Sequence, residues 1–228
     1  MPTAISELPD TMRAAVYRGE SQVSVDEIQT PVIGEGEILI RVEACGVCHT
    51  DLKKIEYNLL TPPRVYGHET AGVVAATGSR VSKFQTGDRV IVFHHIPCGR
   101  CFYCERKLYA QCAVYKKVGV TAGFEPAGGG FAQYVRVMDW IVERGVEKIP
   151  DGVSFEVASF VEPVNTCVKG VAQLDPRAGD ASAEPAPATE AVVRMTVISV
   201  PGWKRYPPVT ANRWVARVVA AADSKRTD

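Results

Sequence analysis

Between positions 13 and 140 the apolar residues come in short runs broken by glycine and proline, without the long 3.6-residue periodicity of packed helices. Arg13 to Tyr17, Glu37 to Glu43, Thr70 to Thr77, Asp88 to Phe93 and Phe131 to Val137 are rich in Val and Ile and read as strands. Gly19, Gly34, Gly36, Gly78, Gly87 and the run Gly128-Gly129-Gly130 fall between them as turns. Many short strands with glycine turns predict a mainly β unit, a barrel or a sandwich. A short helix is expected to begin at Cys48 or His49. A longer one is expected from Ser154 to about Val171, capped by Ser154 with Glu156 in its first turn, and broken or kinked at Pro163.

The pattern changes after Asp180. Residues 181–228 hold a single glycine, Gly202, and open on a linker-like Ala-Ser-Ala-Glu-Pro-Ala-Pro-Ala-Thr. Only Ala191 to Val200 reads as a strand there, and Ala211 to Ala222 as a weak helix. No internal repeat is evident.

Composition narrows the classes. The 228 residues are 46% hydrophobic, enough for a real core, and 26 basic residues balance 26 acidic ones. A neutral chain lacks the basic face that nucleic acid or an anionic membrane requires. Met1 to Glu20 contains no signal-peptide run, and no stretch reaches transmembrane length. The expected setting is the cytoplasm. Seven cysteines, an odd number without a secretion signal, argue against a disulfide framework and for metal ligands or reactive thiols.

Four of them, Cys98, Cys101, Cys104 and Cys112, follow C-x2-C-x2-C-x7-C. The two-residue gaps turn successive thiolates toward one point, and the seven-residue return brings the fourth round. Four thiolates with no open position suit a structural zinc. An iron–sulfur cluster also favours C-x2-C-x2-C, but ferredoxin runs continue with x3-C-P. Here the last gap is seven residues and Ala113 follows Cys112, so zinc is favoured.

A second constellation joins Cys48-His49-Thr50-Asp51 to Gly67-His68-Glu69, with Glu162-Pro163 much later. Cys, His and Glu with an open fourth position suit a catalytic zinc, which binds an alcohol oxygen and lowers its pKa. Thr50 is placed to relay the proton outward, and Asp51 to accept the second ring N–H of His68 and fix its tautomer. Each piece alone is weak; together they point to one site.

Five ordered stretches then match one pattern. They are Gly34 to Val42, Cys45-Gly46-Val47-Cys48-His49-Thr50-Asp51, Gly67-His68-Glu69, Gly87-Asp88-Arg89-Val90 and the four-cysteine loop, continued by Phe160-Val161-Glu162-Pro163. Over residues 12–180 the chain resembles the catalytic half of the zinc-dependent medium-chain alcohol dehydrogenases. The resemblance implies a GroES-like β-barrel over 12–153, a connecting helix over 154–180 and an atypical tail over 181–228. It implies two zinc ions per chain. Cys48, His68 and Glu162 match the catalytic ligands, and Cys98, Cys101, Cys104 and Cys112 the structural ones. Glu69 matches a carboxylate that approaches the catalytic zinc, Thr50 the proton relay, Asp51 the partner of the histidine ligand, and His49 a contact to the cofactor pyrophosphate. Glu162-Pro163, where other members have Cys, resembles the sorbitol and threonine dehydrogenase branch and favours secondary alcohols or polyols. Family members use NAD or NADP and assemble as homo-oligomers; the substrate is a small alcohol, with no nucleic-acid or membrane partner.

Other residues take bland roles. Cys45 is expected in the core and Cys167 buried on the later helix. His94 and His95 are expected to be structural or solvated, and Trp140 and Phe131 to pack in the core or a cleft wall. Gly128-Gly129-Gly130 precedes a strand, so it is no phosphate loop.

The Rossmann domain that carries the cofactor in the family should open after Gly179-Asp180 with a strand and G-x-G-x-x-G. That fingerprint is absent from these 228 residues. The expectation is a truncated or frameshifted dehydrogenase product with the cofactor domain missing or replaced. Coding DNA that gives no strand plus G-x-G-x-x-G in either other frame beyond Asp180 would remove the frameshift idea. The alternative function is a non-catalytic zinc-binding remnant. A zinc-dependent interaction or nucleic-acid module fits less well, because no basic and aromatic residues interleave around Cys98–Cys112.

Overall fold

The structure, a computed structural model, describes residues 8–121 and 128–174. The predicted elements Ala191–Val200 and Ala211–Ala222, with the rest of the tail, lie outside the described residues. The chain divides into two units, Met1–Ser159 and Phe160–Asp228.

The mainly β expectation holds in the first unit. Strands β1 (Thr11–Gly19), β2 (Gln22–Gln29) and β3 (Ile38–Gly46) come first. Helix α1 (His49–Glu56), β4 (Arg64–Val65), β5 (Glu69–Thr77) and β6 (Arg89–Val92) follow. Then come α2 (Phe102–Glu105), a 3-10 turn at Tyr109–Gln111 and α3 (Ala113–Thr121). The unit closes with β7 (Tyr134–Val137), α4 (Asp139–Arg144), β8 (Val146–Lys148) and α5 (Phe155–Ser159). One sheet has the order β2-β1-β4, the other β7-β3-β5-β6-β8, with antiparallel pairing throughout.

Residues 131–137 join the two sheets. Phe131 accepts from the Ala15 N–H at 2.8 Å and Gln133 donates to the Arg13 carbonyl at 3.0 Å, so the segment first follows β1. Gln133 also accepts from the Val42 N–H at 2.9 Å, and β7 then runs along β3. The predicted strand therefore begins three residues late as regular strand, because its first residues belong to the crossing. In the β3–β5 pair, Glu43 is skipped on one strand and Ala75 on the other. Such bulges sharpen the twist that lets a sheet curl. The two backbones also come very close. A Cβ on Gly72 would stand 2.2 Å from the Arg41 carbonyl oxygen, so no side chain fits there.

The core explains the apolar runs. Ile38, Ile40, Val74, Val90, Val135 and Ile141 are all fully buried together. Each side chain of this size contributes about 1.5–3 kcal/mol by leaving water. Trp140 packs on this cluster and Phe131 on the Tyr17–Tyr66 pair, as expected.

The helix expected over 154–171 is two helices. Ser154 Oγ does accept the Val157 N–H, at 3.3 Å. The interruption falls at Phe160, between α5 and α6 (Val161–Leu174), not at Pro163. Pro163 is third in α6, within the first turn, where an N–H would have no intrahelical partner. Cys167 is half-buried on α6, less covered than expected. No described helix is long and apolar enough to cross a membrane.

Candidate functional site

The start of α1 is built by two residues acting on each other. Cys48 is the N-cap, and its Sγ accepts the Thr50 N–H at 3.4 Å. Asp51 Oδ2 returns to accept the Cys48 N–H at 3.1 Å. This reciprocal cap fixes the sulfur at the head of the helix. The other Asp51 oxygen, Oδ1, lies 3.3 Å from His68 Nδ1, and Asp51 is completely buried. One carboxylate thus orients both the thiol and the imidazole. His68 precedes β5, and Glu69 is its first residue, paired with Gly46 at the end of β3.

These elements bring Cys48, His68 and Glu69 together, with one donor atom from each within 4.8 Å of the others. Glu69 is therefore a member of the donor set, closer to the centre than its expected place at the edge. Burial disfavours a charged His68, but hydrogen bonds to Asp51 and Cys48 outweigh it and raise the pKa to about 10. Thr50 and His49 lie exposed in the first turn of α1. Glu162 lies in the first turn of α6, in the second unit.

Gly46 leaves the space that Glu69 fills. A Cβ there would stand 1.9 Å from Glu69 Oε2. Gly46→Ala is expected to leave the fold intact, because a carboxylate end swings aside easily. It should weaken metal binding at the trio by about tenfold, the low end of the range for changes around a metal site. Isothermal titration with zinc checks this.

The four-cysteine loop closes as its spacing suggests. Cys101 immediately precedes α2, Cys104 lies within it, and Cys112 follows the 3-10 turn. All four sulfurs lie within 4.8 Å of one another. Cys98 and Cys101 stand 4.0 and 3.6 Å from Cys104. Zinc–sulfur bonds of about 2.3 Å in a tetrahedron place sulfurs about 3.8 Å apart, so the cluster fits that ion. Burial acts against a charged Cys112. Hydrogen bonds from the Cys98 and Tyr115 amides, with the Cys98 and Cys104 thiols, nonetheless lower its pKa to about 6. Cys104 moves the other way, to about 11, chiefly through burial. The trio of thiol, imidazole and carboxylate is likewise a zinc donor set.

Residues given bland roles are near the trio as well. The His94 ring lies 4.6 Å from the His68 ring, buried, and His95 stacks on His94 at 4.0 Å. Burial, then the nearby His95, His68 and Lys54, push the His94 pKa well down. The missed signal was alternation: Val90 and Val92 point inward, and continuing the period places His94 inward too. Lys54, on α1, is also buried beside Asp51 and Cys48, and burial lowers its pKa. Cys45 has its Sγ 3.5 Å from Thr70 Oγ1, and burial pushes its thiol far up, in keeping with a packing role.

Residues 34–171 match the alcohol dehydrogenase GroES-like domain. Sorbitol dehydrogenase of Bacillus subtilis is 33% identical over 73% of this chain and 46% of its own length. L-threonine 3-dehydrogenase of Bacillus velezensis is 34% identical over 74% of this chain and 48% of its own. The acetophenone reductase of Geotrichum candidum, solved in complex with NAD, superposes with a TM-score of 0.65 at 28% identity, covering 75% of this chain and 50% of that one. The chain spans about half the length of the curated relatives it matches. By domain match and by relatives that include sorbitol and threonine dehydrogenases, this chain belongs to the zinc-dependent medium-chain alcohol dehydrogenase family.

Proposed function

We propose that this chain is the metal-binding catalytic part of a zinc-dependent dehydrogenase that oxidises a secondary alcohol or polyol, with NAD or NADP taking the hydride. The observation that carries this reading is the trio Cys48, His68 and Glu69, oriented by one buried carboxylate and separate from a four-sulfur lobe. Cys48 and His68 would hold the catalytic zinc, with Glu69 beside them, and the family resemblance gives Glu162 as the third ligand. Cys98, Cys101, Cys104 and Cys112 hold a structural one. Zinc at the first centre supplies Lewis-acid polarisation of a hydroxyl oxygen. The chain's own residues do the rest. Asp51 holds His68 by Nδ1, which fixes the ring's orientation. Thr50, exposed at the head of α1, passes the proton toward solvent, and His49 beside it contacts the cofactor's pyrophosphate. Seven cysteines free of disulfides suit a reducing, cytoplasmic setting.

A second reading has its own observation. The 228 residues contain no G-x-G-x-x-G, so on their own they bind zinc without turning over alcohol. Metal analysis with an NAD(P)H-coupled assay on polyols separates the two. Two zincs with turnover support the dehydrogenase. Zinc without cofactor binding supports the metal-binding unit.

Metal binding at the trio should depend on pH. An imidazolium has no lone pair to offer, so uptake expels the proton that Asp51 and Cys48 hold on His68. Apparent zinc affinity there is expected to rise about tenfold per pH unit through neutrality, read by competition with a chelator. Stability of the metal-free chain runs the other way. The contribution of a charged His68 is full below about pH 6.5 and fades as pH climbs through about 10. Affinity flat from pH 7 to 8 would remove His68 from the ligand set.

A further inference from the structure

Four rings touch in succession, starting from His68 of the trio and ending at Tyr115 beside the four-sulfur lobe. His68 meets His94 at 4.6 Å with the planes tilted 46°. His94 stacks on His95 at 4.0 Å and 30°. His95 stacks on Tyr115 at 4.8 Å and 18°. Successive side chains of an extended strand point to opposite faces, so adjacent histidines do not ordinarily stack. Here a tight bend after β6, closed by the Ile96 N–H on the His94 carbonyl at 3.0 Å, brings the two rings together. Tyr115 lies in α3, three residues after Cys112, and its amide hydrogen-bonds the Cys112 sulfur. A continuous path of ring contacts and one N–H···S bond therefore runs from the lobe to His68.

We propose that His95 and Tyr115 are positioning residues for His68, and that through them the four-sulfur lobe steadies the Cys48–His68–Glu69 centre. The inference rests on the reading that both clusters hold metal. Asp51 fixes one edge of the His68 ring, at Nδ1, and His94 covers one of its sides. His95 stacks on the far side of the His94 ring, and Tyr115 stacks on His95 in turn. With Cys112 held in a filled lobe, the first turn of α3 keeps Tyr115 against His95. With the lobe empty that support loosens, and His68 keeps Asp51 but loses the firm wall beside it. Losing one such ring contact weakens what it holds by about two- to tenfold.

Cobalt(II) tests this, because a centre with one thiolate and a centre with four give distinct absorption. The wild-type chain, Tyr115→Ala, Tyr115→Phe and His95→Ala are loaded with cobalt. Affinity and the d–d bands are then read at the Cys48 centre, and cobalt content at the lobe. Tyr115→Ala and His95→Ala are expected to shift the d–d bands and weaken cobalt at the Cys48 centre by two- to tenfold. Tyr115→Phe, which keeps the ring, should match wild type. His95→Ala keeps every residue of α3 and its N–H···S bond to Cys112, so it reports on the stack even where Tyr115→Ala disturbs the lobe. Wild-type bands and affinity in both alanine variants overturn the coupling, as does an equal change in Tyr115→Phe and Tyr115→Ala. A wild-type chain that fills the lobe but takes no cobalt at Cys48 overturns the two-centre reading itself, and the coupling with it.

Discussion

Cys101→Ser is expected to empty the four-sulfur lobe and to cost the chain much of its solubility. The reason lies in how little else holds the lobe. Of residues 98–112, only Cys104 and Cys112 are buried. Phe102, Tyr103, Leu108 and Tyr109 all stand in solvent, at 43% exposure or more. A segment with no apolar interior depends on its cross-links, and here those are metal–sulfur bonds. Structural zinc sites are worth roughly 10–16 kcal/mol; shared over four ligands, one thiolate carries roughly 3 kcal/mol, about a hundredfold or more in affinity. Without the metal the loop that carries these exposed apolar side chains loses its ordered arrangement, which favours association with other molecules. Metal content and soluble yield read the effect. Full metal content and wild-type yield in Cys101→Ser would show that the lobe folds without zinc.

Cys48→Ser should separate metal from fold at the other centre. Serine is a good N-cap, so its hydroxyl can take over the Thr50 N–H that Cys48 Sγ now accepts. Helix α1 and the Asp51 return bond should persist. The hydroxyl is a far poorer zinc ligand than a thiolate, so affinity should fall by about a hundredfold or more while the lobe keeps its metal. The melting temperature of the metal-free form should stay within about two degrees of wild type, since exchanging one capping side chain for another shifts stability by only a few tenths of a kcal/mol. Retention of the second metal in Cys48→Ser would remove this residue from the centre.

The sequence made the core strands legible because their runs of Val and Ile are the residues that end up buried: Ile38, Ile40, Val74, Val90 and Val135. Strand β2 was not legible. None of its eight residues is buried, and it is an edge strand carried by its pairing with β1. Gly19, with its positive φ, did mark the turn before it, although Glu20 and Ser21 take positive φ angles there without being glycines. Strands β4 and β8 are two and three residues long, too short for any periodicity. Helices α3 and α4 follow the cysteine loop and β7, where tertiary packing outweighs local pattern.

At the site, fixed spacing made the four cysteines readable, while Cys48 and His68 were read together through the family resemblance. The reciprocal cap by Asp51 was half readable: its contact with His68 was expected, its bond to the Cys48 amide was not. Glu69 in the donor set follows from Gly46, whose missing side chain opens the space across the β3–β5 pair. That is a three-dimensional coincidence of two distant residues. The His94–His95–Tyr115 stack is of the same kind, since a bend and a helix start meet only in the fold.

Zinc per chain, measured on wild type, Cys101→Ser and Glu162→Ala side by side, tests the central claim that two separate metal centres share this chain. Two zincs are expected in wild type. Cys101→Ser should lose the lobe zinc, and Glu162→Ala should lower occupancy at the Cys48 centre alone. Equal loss of both metals in both variants would contradict two separate centres.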